Sequence, residues 1–221
     1  MDALDKQLAE VSDQKGHEWH QHRVGKFTAS EIHRLMTEPR NKAQSLSEGA
    51  KTYVMERVAE RITGVPCKQV DTYATQWGND HEDEARQLFT MKTGLIVEQI
   101  GFVPYGDEAG GSPDGVIPMV NSGVEIKCPF NSANHVYHML IESDEHFKAD
   151  FKEYYWQVQM NIMCNNAENW WFVSYDPRFP ESEQMFIHKV ERNEADIENM
   201  KAKIKAAIEY AEFIITKLIK H

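Results

Sequence analysis

A chain of 221 residues with 41% apolar content can bury one good core, so a single domain spanning 1–221 is expected. The formal charge of −11 excludes a protein coated uniformly with basic groups for nucleic acid, although net charge leaves room for a local basic channel. The polar first twenty residues and the absence of any long apolar run argue against a signal peptide or membrane span and point to a cytoplasmic protein.

Taken in order, residues 1–16 are a polar lead-in with at most a loose helical segment from Leu4 to Val11. Thr28 or Ser30 can cap a short helix reaching Met36, and Pro39 ends it. In the run from Ser47 to Ile62, Val54, Val58 and Ile62 recur at helical spacing, and Gly64 and Pro66 give the stop. A second helix is predicted from Gly78 to Lys92, with Glu82 among the acidic residues of its first turns and Gly94 after it. Residues 95–104 have the β-branched and aromatic content of a strand, and 105–111 read as loop. Two strands, 114–120 and 123–128, are then joined around Asn121-Ser122-Gly123 as a hairpin.

Ser132 to Ile141 reads as a short helix and the charged 142–150 as loop. Tyr154, Val158 and Ile162 mark a helix ending near Cys164. Strands at Trp170–Tyr175 and Met185–Val190 flank Asp176-Pro177-Arg178. Asn193 caps a long C-terminal helix over 193–221, whose Ile197, Ile204, Ile208, Ala211 and Ile215 form an apolar stripe. The order predicts an α/β fold with a central mixed sheet flanked by helices. Cys67, Cys128 and Cys164 are odd in number and lack CxxC spacing, so they read as buried thiols rather than a zinc or redox site.

The chemistry concentrates in the hairpin. Side chains alternate along a strand, so Glu125 and Lys127 share one face while Val124, Ile126 and Cys128 share the other, with Asp114 close by at the start of the partner strand. A hard divalent ion such as Mg2+ takes carboxylates, carbonyls and waters, a shell that Asp114, Glu125 and the Ile126 carbonyl can supply. Lys127 on the same face can orient a water and neutralise charge developing on a phosphate.

Asp, strand, Glu-x-Lys resembles the PD-(D/E)xK nuclease superfamily, and further segments narrow the match. These are Trp19-His20 with Arg23, Thr28-Ala29-Ser30, Trp77-Gly78 with Glu82, Ser112-Pro113-Asp114-Gly115, Glu125-Ile126-Lys127-Cys128-Pro129, Gln157-Val158-Gln159 and Tyr175-Asp176-Pro177-Arg178. Together, and in this order from 19 to 178, they resemble the lambda-type phage exonucleases of the YqaJ-like viral recombinase family.

The resemblance implies a 5′-to-3′ exonuclease that digests one strand of linear duplex DNA from 5′-phosphorylated ends. It would use Mg2+, two ions per site, with Mn2+ a possible substitute, and it would be a homotrimeric ring from a phage or prophage in a bacterial host. A single-strand annealing protein is the implied partner, coating the 3′ overhang. By position, Asp114, Glu125, Lys127 and Glu82 take the catalytic roles, Glu82 reaching the metal directly or through water. Arg23, Ser30, Ser112 and Gln157 match the terminal-phosphate pocket, and Arg40 a DNA-contacting arginine. Thr75 stands where the family carries a bulky aliphatic wedge, which puts wedge-driven strand separation at that position in question. In a ring, Arg23, Lys26, Arg40 and Lys42 would line the channel, with acidic residues outside.

Each residue also has a plainer reading. Arg23 suits a surface ion pair, Glu82 an acidic helix start and Ser30 a cap. His81, His135 and His138 lack metal-site spacing and read as surface or loop groups, and Trp170 and Trp171 as core and interface. Two rival functions remain: another endonuclease of the superfamily, or an inert DNA-end-binding subunit. An iron–sulfur variant would need four cysteines, one more than the chain has.

Overall fold

The computed structural model describes residues 22–67 and 72–219. The lead-in 1–16 and the Trp19-His20 pair lie outside the described residues. A two-residue strand β1 (Phe27–Thr28) runs into a 3₁₀ helix (Ala29–Arg34), followed by helices α1 (Glu48–Thr63) and α2 (Tyr73–Thr93). Short strands β2 (Val103–Tyr105), β3 (Ala109–Gly111) and β4 (Gly115–Ile117) lead to β5 (Ser122–Lys127). Helices α3 (Ser132–Met139), α4 (Asp144–Asp150) and α5 (Lys152–Cys164) follow, then β6 (Asn169–Tyr175), β7 (Met185–Glu191) and the long α6 (Glu194–Ile219).

The helix ends follow capping chemistry. Ser47 Oγ accepts from the Ala50 amide at the start of α1, and Gly64 closes it at φ 69°. The start of α2 differs from the expected Gly78. Thr72 accepts from the Thr75 amide and begins the helix five residues earlier, so the acidic run including Glu82 sits inside the helix rather than at its head. The charged segment 142–150 is helical over Asp144–Asp150, not loop: Ser143 caps it, Asp144 and Glu145 complement its dipole, and Phe147 anchors it in the core. Asn193 Oδ1 accepts from the Asp196 amide and caps α6 as expected.

The expected mixed sheet between helices is the four-stranded β4-β5-β6-β7, and a second, smaller mixed sheet, β1-β3-β2, precedes it in chain order. The β4–β5 hairpin pairs Gly115 with Val124 and Ile117 with Ser122. Residues 118–120 form a 3₁₀ turn instead of continuing β4, because Pro118 has no amide to donate and Asn121 turns the chain at φ 46°. The strand expected over 95–104 reduces to a bridge between Glu98 and Val116 and to β2, since this segment passes from one sheet to the other. The expected loop 105–111 contributes β3.

Alternation holds along the central pair. Val124, Ile126 and Cys128 of the β5 segment, with Val173 and Tyr175 of β6, pack against Ala85 and Phe89 of α2. On the opposite face Trp170 and Phe172 join the larger core, built from α1, α5 and α6. There α6 buries Ile197, Met200, Ile204, Ala207 and Ala211 on its own domain. The sheet is therefore a layer between α2 and the α1–α5–α6 group, and the polar side chains of β5 face α5.

Three sequence expectations are corrected by burial. Cys67 is exposed, whereas Cys128 is buried and Cys164 half-buried. His135 and His138 are buried rather than superficial, and both bond Ser174 Oγ, at 2.7 and 2.8 Å. They sit one helical turn apart on α3, and the His138 ring meets Phe151, Tyr154 and Phe172 edge-on. Ser174 pairs with Lys127 across the β5–β6 ladder, so this histidine pair backs the functional face.

Burial, with His135 and Lys127 nearby, lowers the His138 imidazolium from about 6.5 to about 4. A depressed folded pKa means stability that is full above the unfolded value and lost as pH falls through the folded one, here from about 6.5 to about 4. Urea unfolding should therefore show a loss of about 3 kcal/mol across that window, with a shallower loss in His138→Gln. Identical pH slopes for the two proteins would refute the assignment.

Candidate active site

The functional residues converge because four elements meet at the C-terminal half of β5. Glu125 and Lys127 lie on the β5 face opposite Ile126, Asp114 immediately precedes β4, Glu82 comes from α2, and Gln157 and Asn161 come from one face of α5. A cavity of about 440 Å3 opens here, lined among others by Glu82, Asp114, Ile126, Lys127 and Tyr154.

Glu125 is the most constrained group. Its carboxylate is 1% exposed. Oε1 accepts from Lys127 Nζ at 2.6 Å and from Gln157 Nε2 at 2.6 Å, and Oε2 accepts from Asn161 Nδ2 at 3.0 Å. Gln157 Oε1 in turn receives Lys127 Nζ at 3.3 Å. Asn161 sits one turn beyond Gln157, so two successive amides grip the two oxygens of one carboxylate. Asp114 Oδ2 accepts from the Ile126 amide at 2.6 Å, tying one end of the hairpin to the other.

The site is electrostatically overloaded with negative charge. Burial, Glu125 and Glu82 push the Asp114 carboxyl well above the ordinary carboxylate range. Burial also raises Glu125, against the pull of Lys127. Burial alone would lower Lys127, but Glu125 and Asp114 outweigh it and hold the ammonium above its usual value, so Lys127 is a cation at neutral pH and not a general base. The thiol of Cys128 is pushed up to about 12 by burial and by Asp114 and Glu82, which leaves it protonated and a poor metal ligand.

These features fit a hard divalent cation. The available donors are carboxylate and carbonyl oxygens, and a bound cation would offset the burial and mutual repulsion that raise the Asp114 and Glu125 carboxyls. Among the described residues no group of three or more His, Cys, Asp and Glu side chains forms a ready metal cage. Asp114 and Glu125 would hold it, with Ile126 at the cavity wall. Glu82 already bonds Arg86 through Oε1 at 2.6 Å.

Of the four residues expected at a terminal phosphate, Arg23, Ser30 and Ser112 lie toward one end of the smaller sheet. Parallel pairing of Thr28 with Gly110 brings Ser30 and Ser112, each two residues further on, to the same end of β1 and β3. Arg23 Nη2 donates to Ser30 Oγ at 3.1 Å. Burial depresses the Arg23 guanidinium, while the charge of Glu125 works the other way. Ser112 Oγ is buried and has no partner among the described residues. Gln157, the fourth residue expected at a terminal phosphate, instead bonds Glu125 and Lys127. Arg40 lies exposed in the connection before α1, and Thr75 is exposed in the first turn of α2, where its hydroxyl meets that of Thr72 at 3.0 Å. Neither lines the carboxylate cavity, although Ala74, beside Thr75, does.

Three further residues that the sequence does not single out touch the candidate site. Asn161 looked like an ordinary polar position on a buried helix, and its spacing of four from Gln157 was the available signal. Arg86 holds Glu82, reaches Asp83 at 2.5 Å and donates Nε to the Asp114 carbonyl at 3.2 Å. Its i, i+4 relation to Glu82 was visible, but its reach to Asp114 depends on how α2 crosses the hairpin. Tyr154, whose ring centroid lies 5.0 Å from Lys127 Nζ, was noted only as an apolar marker of α5.

Fold and site together define a nuclease. Residues 18–168 match the family model of the YqaJ-like viral recombinase domain, and the chain belongs to that family. Among solved structures it is similar to the alkaline exonuclease LHK-Exo from Laribacter hongkongensis, with 30% identity, TM-score 0.77 and coverage of 93% of this chain and 97% of that one. The complex of LHK-Exo with dAMP matches at TM-score 0.78 with the same identity and coverage. A phage-related exonuclease from Haemophilus somnus 129PT shares the fold at 20% identity, covering 87% of this chain and 96% of its own, with TM-score 0.75. No curated protein matches the sequence.

Because Asn161 orients Glu125 from behind, Asn161→Leu should weaken divalent-ion binding by about 10–100-fold. Direct titration of Mn2+ into the purified protein checks this, with urea unfolding to confirm that the variant is folded. Unchanged affinity in a folded variant would remove Asn161 from the site.

Proposed function

We propose that the protein is a Mg2+-dependent 5′-to-3′ exodeoxyribonuclease that digests one strand of linear duplex DNA from 5′-phosphorylated ends. The observation that carries this reading is the pairing of two subsites across Glu125. On one side lie carboxylates suited to a divalent ion; on the other lie Arg23, bonded to Ser30 Oγ, and the unpartnered Ser112 hydroxyl, groups suited to an anion. One cation with neutral hydroxyl donors suits a phosphate monoester. An enzyme that grips a 5′-phosphate next to its hydrolytic centre counts from a strand end. LHK-Exo, the relative at 30% identity, has been crystallised with dAMP, a nucleotide of the kind such a reaction releases.

The residues divide the work. Arg23, Ser30 and Ser112 hold the terminal phosphate and set the distance to the bond that breaks. Lys127 places a fixed positive charge beside that bond and stabilises charge developing on the phosphoryl oxygens. Gln157 and Asn161 keep Glu125 aimed. When bound, a divalent ion supplies Lewis acidity and a water of lowered pKa. Two ions would fit the family pattern, and Mn2+ is an expected substitute.

The rest of the reading follows from family membership. Subunits would form a trimeric ring whose channel carries Arg23, Lys26, Arg40 and Lys42, with the acidic surplus outside. Resection would leave a 3′ overhang for a single-strand annealing protein in phage-type recombination. Thr75 would stand near the duplex fork without acting as an apolar wedge. No helix among the described residues is long and apolar enough to cross a membrane.

Digestion of 5′-phosphorylated linear, 5′-hydroxyl linear and closed circular DNA side by side tests the reading. The phosphorylated linear form should disappear fastest and the circle should persist; nicking or linearisation of the circle would favour an endonuclease. Asp114→Ala and Lys127→Ala should each slow digestion by about 10²–10³-fold, the scale for losing a preorganised electrostatic contact. Wild-type rates in Asp114→Ala would overturn the mechanism, and a monomer in sedimentation under assay conditions would remove the ring.

A further inference from the structure

A second cavity, of about 520 Å3, lies next to the carboxylate cavity and shares Asn134 and Tyr154 with it as walls. Its volume falls in the range of small-molecule sites, about 300–1,000 Å3. We infer that it receives the sugar and base of the terminal nucleotide of the strand being cut. The inference rests on the exonuclease reading and adds to it a nucleoside subsite.

Position supports this assignment. His33, in the wall of the second cavity, stands three residues after Ser30 on the 3₁₀ helix. With three residues per turn, positions i and i+3 share a face, so the cavity begins on the face that carries the phosphate-pocket serine. Its shared wall, Tyr154, places its ring centroid 5.0 Å from Lys127 Nζ. A terminal nucleotide must span these same two points, with its 5′-phosphate at Ser30 and its 3′-phosphate at Lys127. The second cavity is the space alongside that span.

Its chemistry is that of a nucleoside and not of a phosphate. Tyr137, Phe151 and Tyr154 bring aromatic rings, on which a base of any sequence can stack. The charged residues at its edge are Asp150, Lys152 and Glu153, one more acid than base, which disfavours a phosphate while offering acceptors to exocyclic amino groups. Asp150 also pairs with His146 at 3.4 Å. The Nδ1 of His33 is buried without a hydrogen-bond partner among the described residues, a polar atom that a ligand in this space would satisfy.

Calorimetric titration with dAMP, 2-deoxyribose 5-phosphate and inorganic phosphate reads the subsite directly. The wild type should bind dAMP about tenfold or more tightly than deoxyribose phosphate, as expected for one stacked base. Tyr137 is 60% exposed, so Tyr137→Ala should fold, and it should lose most of that preference while keeping its affinity for deoxyribose phosphate. In parallel, a linear duplex whose 5′-phosphorylated end residue is abasic should show a KM for first cleavage raised about tenfold with the wild type and little changed with Tyr137→Ala. Equal binding of dAMP and deoxyribose phosphate by a wild type that digests linear DNA would overturn the nucleoside subsite and leave the exonuclease reading standing. A wild type that digests no linear DNA would overturn both.

Discussion

The structure depends on keeping one carboxylate charged where water cannot reach it. An unpaired buried carboxylate costs several kcal/mol, and Glu125 is held by an ammonium and two amide groups on β5 and α5. That requirement fixes more than one side chain. It sets how closely α5 lies on the sheet, and it demands the absence of a side chain on β3: a Cβ at Gly111 would come within 2.3 Å of Asn161 Oδ1. Asn161 can therefore reach Glu125 only because Gly111 lets the helix settle onto the strand.

The same clamp fixes Lys127 beside Glu125. Both oxygens of Glu125 are held by this ammonium and the two amides, and the cavity beside them is lined by Asp114, Glu82 and Lys127. Lys127, fixed by the same network, stays protonated and serves as charge rather than as base. Parallel pairing of β1 with β3 in the other sheet brings Ser30 and Ser112 to the same end of the two strands, although more than eighty positions separate them in sequence.

Much of this was legible beforehand. Period two in a six-residue strand was enough to put Glu125 and Lys127 together and opposite Ile126, because one face had to be apolar. Caps and stops placed α1 and α6 almost to the residue. What failed was where local signals compete. The acidic run before Ala85 looked like a helix start, yet a threonine hydroxyl upstream satisfied the free amides first. Residues 142–150 looked too charged to fold, yet a serine cap, two well-placed acids and one buried phenylalanine suffice for two turns. His135 and His138 carried no spacing for metal and were read as surface groups; their partner, Ser174, lies on a strand that sequence alone could not bring beside them. Gln157 and its buried amide were legible, but the fold was needed to show what they touch.

The parallel pairing of β5 with β6 has a consequence for how such a protein can change. Two neighbouring parallel strands must be joined by a long crossover, and here that crossover is the whole of α3, α4 and α5. Asn134, Tyr137, Tyr154, Gln157 and Asn161 all belong to this one excursion, whereas the carboxylates and the lysine belong to the hairpin and to α2. The contacts that would recognise a substrate are therefore carried on a contiguous segment bounded by two fixed ends. Variation within it can reshape what is accepted while the strands at either end keep the hydrolytic groups in register.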